Sequence, residues 1–228
     1  MEDLKKIFST RQRKLVGAFV LLLLLVIIIP ALGGKKSPSS GSSKTSQVAA
    51  PAPVDPAVLE ADKKTLADLK TKFKYTYDEF EKKGWYEAKT QNVDNTWNKQ
   101  VLKVYVNNVG YAYLSDQYYG ESWIFHTRVE VKIGDTVYKS DDIPTYDSDN
   151  STHNSGGSVW ESLSYTGGRD NGIIKAIAES GDAAVLVRFT SDQGQKDFTL
   201  AKRDQEAIKD AYELSNLIIK VGDTGATK

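Results

Sequence analysis

The chain has 228 residues, 30 basic and 30 acidic side chains, and no cysteine. The missing cysteine excludes disulfides, thiol nucleophiles and thiolate metal sites, and in an exported chain it fits a bacterial or phage source. Charge is unevenly spread: residues 57–228 hold 22 basic against 27 acidic groups, a balance that repels phosphate backbones and argues against a nucleic-acid partner.

Residues 1–14 form a basic tail containing Lys5, Lys6, Arg11, Arg13 and Lys14. Leu15–Leu32 follows, with no charged or strongly polar side chain. In hydrocarbon a backbone must satisfy its own hydrogen bonds, so such a run is expected to insert as a helix of about 27 Å, close to the thickness of a bilayer core. Residues 15–34 are therefore assigned as a transmembrane anchor. The excess of Lys and Arg before the run puts the N-terminus in the cytoplasm and the remainder outside. A cleaved signal is the alternative, with Ala31-Leu32-Gly33 as the cleavage site.

Residues 35–56 are rich in Ser, Pro, Ala and Lys. Such a segment cannot bury enough apolar surface to offset its ordering entropy, which predicts a flexible linker with a reach of about 25 Å. Asp55 and Pro56 suit the N-cap and first turn of a helix. Leu59, Leu66, Leu69, Phe73, Tyr77 and Phe80 recur on one face, and Gly84 is a natural stop, so an amphipathic helix is expected over 57–84. Its stripe would pack on the following domain or form a short seam between chains.

From Trp85 the period changes to two. Strands are expected at 100–107, at Tyr111–Leu114, at 122–133 and, after Gly134-Asp135, at 136–140. Residues 140–158 read as a long polar loop, followed by a strand at 159–165. A short helix over IIKAIAES is capped by Asp170 or Asn171 and ended by Gly181. A hairpin is formed by 184–189 and 196–200, and an amphipathic helix near 202–220 closes the domain. Residues 222–228 are read as a disordered tail. The fold class is α+β: a mainly antiparallel sheet or sandwich-like domain over 85–221, with a preceding long helix and a C-terminal helix.

Residues that carry chemistry are sparse. His126 and His153 lie far apart, and neither has a zinc-like spacing of partners. Asp147-Ser148-Asp149-Asn150-Ser151 alternates oxygen donors like the start of a calcium loop, but Thr152 and Ser158 occupy the positions of its glycine and bidentate glutamate. GGRDNG at 167–172 could hold an anion through Arg169 and backbone N–H groups, or simply form a turn and cap. Aromatic residues supply the clearest signal, because Tyr and Trp serve both as interface anchors and as sheet core. Tyr118, Tyr119, Trp123, Tyr146, Trp160 and Arg169 are the candidate partner-binding residues. No catalytic, cofactor or metal residue is assigned. The expectation is a single-pass, membrane-anchored extracytoplasmic module that binds or assembles a protein partner without catalysis. An exported carbohydrate or small-ligand binder is the alternative, and a carboxylate-dependent hydrolase the third reading.

Overall fold

The computed structural model describes residues 56–91 and 96–223. The basic tail, the apolar run and the linker as far as Asp55 lie outside the described residues. Among the described residues, no helix is long and apolar enough to cross a membrane. Helix α1 (Pro56–Lys70) leads into strands β1 (Phe73–Asp78), β2 (Lys83–Ala88), β3 (Val101–Asn107) and β4 (Ala112–Gly120). Next come β5 (Arg128–Ile133), β6 (Thr136–Lys139), β7 (Asn150–Ser155) and β8 (Ser158–Tyr165). Helix α2 (Ile173–Ala178), β9 (Val185–Thr190), β10 (Gln195–Thr199) and helix α3 (Lys202–Val221) complete the order.

All strand pairs are antiparallel. One sheet has six strands, in the order β1-β2-β3-β4-β8-β7, and the other four, β10-β9-β5-β6. The domain is thus α+β with antiparallel sheets and a C-terminal helix, as its hydrophobic periods indicate. Leu102, Val104 and Val106 of β3 turn one face of the large sheet toward α3, whose Ile208, Ala211, Leu214 and Ile218 are buried against it. Val129, Val131, Val185, Val187 and Phe189 contribute the inner face of the small sheet to the same core. Helices α1 and α2 flank α3. The N-cap of α2 is Gly172, and the Asp170 carboxylate two residues before it accepts the Ile174 N–H of the first turn.

Four sequence expectations need correction. The helix at 57–84 stops at Lys70, and residues 73–88 form the β1–β2 hairpin instead. Phe73, Tyr77 and Phe80 fit a helical period, yet Phe73, Tyr75 and Tyr77 also fit a strand, and Tyr, Thr and Phe prefer the strand. Asp78 settles the turn: its carboxylate accepts the N–H groups of Phe80 and Glu81. The polar segment 140–158 contains strand β7, joined to β8 by Gly156-Gly157, both at positive φ as a two-residue hairpin turn requires. The strand expected over 122–133 is regular only from Arg128, and residues 121–127 are irregular. In the terminal tail, Gly222 is the left-handed C-cap of α3 and Asp223 pairs with Lys70 at 2.6 Å; residues 224–228 lie outside the described residues.

The β3–β4 turn is locked onto α3. Ser215 donates its hydroxyl to the Gly110 carbonyl. Gly110 has φ +92°, and a Cβ there would sit 2.6 Å from Ile219 Cγ1 and 3.0 Å from the Ser215 carbonyl. Gly110→Ala therefore adds backbone strain and a steric clash, and should lower unfolding free energy by about 1–3 kcal/mol in urea titrations.

Candidate functional site

The core between the two sheets contains three ionisable groups, His126 and the two acids that bind its ring nitrogens. Asp116 occupies a core-facing position of β4, two residues from Leu114 and two from Tyr118. Glu161 does the same in β8, between Val159 and Leu163. Each is about 2% exposed. His126, 1% exposed, lies between them. Its Nε2 is 2.8 Å from Asp116 Oδ1 and its Nδ1 2.9 Å from Glu161 Oε2. The Phe189 ring stacks on the imidazole at 5.1 Å, and Tyr118 meets it edge-on at 6.5 Å.

Every oxygen of the two carboxylates has a donor. Asp116 Oδ1 also accepts the Leu163 N–H at 3.0 Å, and Oδ2 accepts the Tyr165 hydroxyl at 2.8 Å. Glu161 Oε1 accepts the N–H groups of Ile124 (2.7 Å) and Phe125 (2.9 Å), and Oε2 accepts that of His126 (2.8 Å). Three successive backbone N–H groups thus converge on one carboxylate, a concave arrangement suited to an anion. Achieving it sends Phe125 to φ +46°, a conformation that costs a bulky L-residue on the order of 1–3 kcal/mol.

The electrostatics follow from the geometry. Burial disfavours a charged His126, but Asp116 and Glu161 on either side outweigh it and push its pKa up to about 9. Burial likewise opposes ionisation of Glu161, yet the His126 bond and the backbone donors hold its carboxyl below the usual value. The phenol of Tyr165 is raised well above its ordinary value by burial and by the Asp116 charge. At neutral pH the His126 ring is therefore held protonated between the Asp116 and Glu161 side chains. With all partners satisfied and the surroundings apolar, the network acts as a strut that ties segment 121–127 to the large sheet.

That segment carries the aromatic pair Trp123 and Phe125, whose rings stack at 5.6 Å with 17° between planes. Trp123 is half-buried against the core, whereas Phe125 is exposed. Ser191 donates to the Ile124 carbonyl at 2.6 Å, bracing the segment from the β9–β10 turn.

The other sequence-predicted residues do not assemble around this pair. Tyr118 is buried on the core face of β4, and its hydroxyl donates to the Ser122 carbonyl. Tyr119 and Trp160 meet on the opposite face of the large sheet, 5.3 Å apart, with Trp97 and His153 against the Trp160 ring. Trp160 is buried there, and its indole N–H donates to the Trp97 carbonyl at 2.6 Å. Gln117 tethers the same loop through the carbonyls of Thr96, Trp97 and Lys99. Tyr146 stands exposed in the 140–149 segment. Arg169 is clamped by Asp147 and Asp149, so its guanidinium is matched to those two carboxylates. The alternating donors that resemble a calcium loop are thus turned to an arginine. Asp116, His126 and Glu161 went unassigned from sequence, although acids at core-parity positions of two strands, together with a histidine in an apolar run, are a readable signal.

His126 is raised relative to the unfolded chain, so its contribution to stability is complete below about pH 6.5 and is lost as pH rises through about 9. Glu161 is depressed, so its contribution is complete above about pH 4.5 and is lost as pH falls below that value. Denaturant titrations across pH should show highest stability between about 4.5 and 6.5 from this network. Glu161→Gln keeps His126 paired with Asp116 but turns an amide NH2 toward backbone N–H donors that now meet a carboxylate, and should cost about 1–3 kcal/mol, with the alkaline loss shifted to lower pH.

Comparison with protein-family models, with curated proteins and with solved structures finds no match to this chain.

Proposed function

We propose that this chain is a single-pass, membrane-tethered extracytoplasmic binding module that holds a protein partner through the Trp123–Phe125 segment, without catalysis. The tether part of the reading is supported by the apolar run Leu15–Leu32, the basic residues before it and the polar spacer that ends at the start of α1. The observation that carries the binding part is Phe125 at φ +46°, held by Glu161 and displaying a stacked aromatic pair. Strained backbone persists where surrounding structure over-determines it, and such places cluster at ligand contacts. Aromatic rings held rigid lose little entropy on binding, which suits them as anchors for a protein surface.

Carbohydrate recognition would call for an open aromatic platform. Tyr119 and Trp160 are the nearest approach to one, and Trp97 lies against Trp160. A carboxylate-dependent hydrolase would call for acids that face substrate, whereas Asp116 and Glu161 have every oxygen engaged around His126.

Two measurements test the proposal. Protease added outside intact cells should degrade the chain beyond Lys36, while alkaline carbonate should leave it in the membrane pellet. A photo-crosslinking residue at Phe125 of the full chain should trap a discrete envelope protein, and Trp123→Ser should reduce the yield about tenfold or more, as expected for loss of an interface anchor. Crosslinking that is diffuse, or unchanged by Trp123→Ser, defeats the binding assignment.

A further inference from the structure

One end of the domain is aromatic and lies away from the Trp123–Phe125 segment. It is made by the β1–β2 turn, the β3–β4 turn and the C-terminus of α3. Phe80, at the tip of the first turn, is fully exposed. Tyr75 and Tyr77 stack at 6.3 Å on the hairpin behind it, and both are exposed. Tyr75 leans over Gly84. Gly84 in turn exchanges hydrogen bonds with Asn108 of the second turn, which carries exposed Val109 and Tyr111. Gly110 of that turn packs beside Ile219, which is 59% exposed. Six of the large exposed apolar side chains therefore lie on adjoining segments at one end, a pattern that marks an interaction surface.

Several charges at this end are paired, while the β1–β2 turn itself carries Asp78, Glu79 and Glu81 against Lys82 and Lys83. Asp78 binds the N–H groups of its own turn, Lys83 pairs with Glu81 at 3.2 Å, Lys70 with Asp223, and Lys220 with Asp62 at 2.7 Å. The last pair also locates the tether. Pro56, the first helical residue, is six positions before Asp62, about 9 Å of helix, so the chain enters the domain near the C-terminus of α3. Segment 121–127 follows the far end of β4, nine residues or about 30 Å of strand from the β3–β4 turn.

We propose that this aromatic end seats on the lipid bilayer that anchors the chain, with Phe80 and Tyr111 at the boundary between headgroups and acyl chains; the inference rests on Leu15–Leu32 spanning that bilayer. Tyrosine and other aromatic side chains suit the interfacial layer. A spacer of residues 35–55 keeps the domain at millimolar effective concentration near the surface, so a weak contact suffices. Seating this end down turns Trp123 and Phe125 away from the membrane. Because the β1–β2 turn has no basic excess, the contact is apolar and gains nothing from anionic lipid.

The natural absence of cysteine allows one spin label at a time in the full chain. Labels are placed at Leu24→Cys in the apolar run, Glu79→Cys beside Phe80 and Leu186→Cys on the outer face of the small sheet. The chain is reconstituted in phosphatidylcholine vesicles with and without phosphatidylglycerol. The Leu24 label should read hydrocarbon and the Leu186 label water. The Glu79 label should be accessible to lipid-dissolved oxygen and protected from a water-soluble relaxant, equally in both vesicle types. Phe80→Ser with Tyr111→Ser should return the Glu79 label to the Leu186 value with an unchanged far-ultraviolet circular dichroism spectrum. A Glu79 label as wet as that at Leu186, with Leu24 still in hydrocarbon, overturns the bilayer seat and leaves the anchor standing. Shielding of Glu79 from both relaxants, or spin–spin broadening there, overturns it in favour of a protein or a second copy. A wet Leu24 label overturns anchor and seat together.

Discussion

The imidazolium of His126 between Asp116 and Glu161 is the constraint on which the rest of this domain depends. It joins β4 to β8 within the large sheet and draws the chain between β4 and β5 into the core. Desolvating three ionisable groups is expensive, and the expense is offset only because each oxygen and each ring nitrogen has a partner. Hydrophobic packing alone would tolerate several paths for residues 121–127. The Glu161 carboxylate selects one, because it demands three successive N–H groups on a single side.

Specificity obtained this way has a local cost in backbone strain at Phe125 and a local benefit in rigidity. An aromatic pair that is ordered before a partner arrives loses less freedom on binding. The same strands that host the buried acids also set the distance between the two ends of the domain. The β3–β4 turn and its aromatic neighbours are at one end of β4, and the stacked pair at the other.

Much of the secondary structure was legible without the fold. The alternation in VLKVYVN, the Gly134-Asp135 turn, the 185–199 hairpin and the long amphipathic run after Lys202 each contain a single period long enough to be unambiguous. Phe73–Phe80 was not, because its aromatics satisfy both periods over a few residues. Asn150–Ser155 is polar on both sides of its strand, since it is a sheet edge with little apolar surface to cover, so alternation could not announce it. The candidate aromatics divide for a related reason: Tyr118 and Tyr119 are sequence neighbours, and in a strand neighbours point to opposite faces.

What the sequence determined by itself is whatever depends on neighbours along the chain: the apolar run and its charged flank, the polar spacer, the periods that separate helix from strand, and the glycines that close turns. What only the tertiary structure decided is whatever depends on residues distant in sequence meeting in one place. His126 lies 10 residues from Asp116 and 35 from Glu161, and Tyr75, Tyr111 and Ile219 come together from three elements. Local preference acts over one turn of helix or one hairpin, whereas burial of charge and alignment of an exposed surface exist only once the sheets have packed.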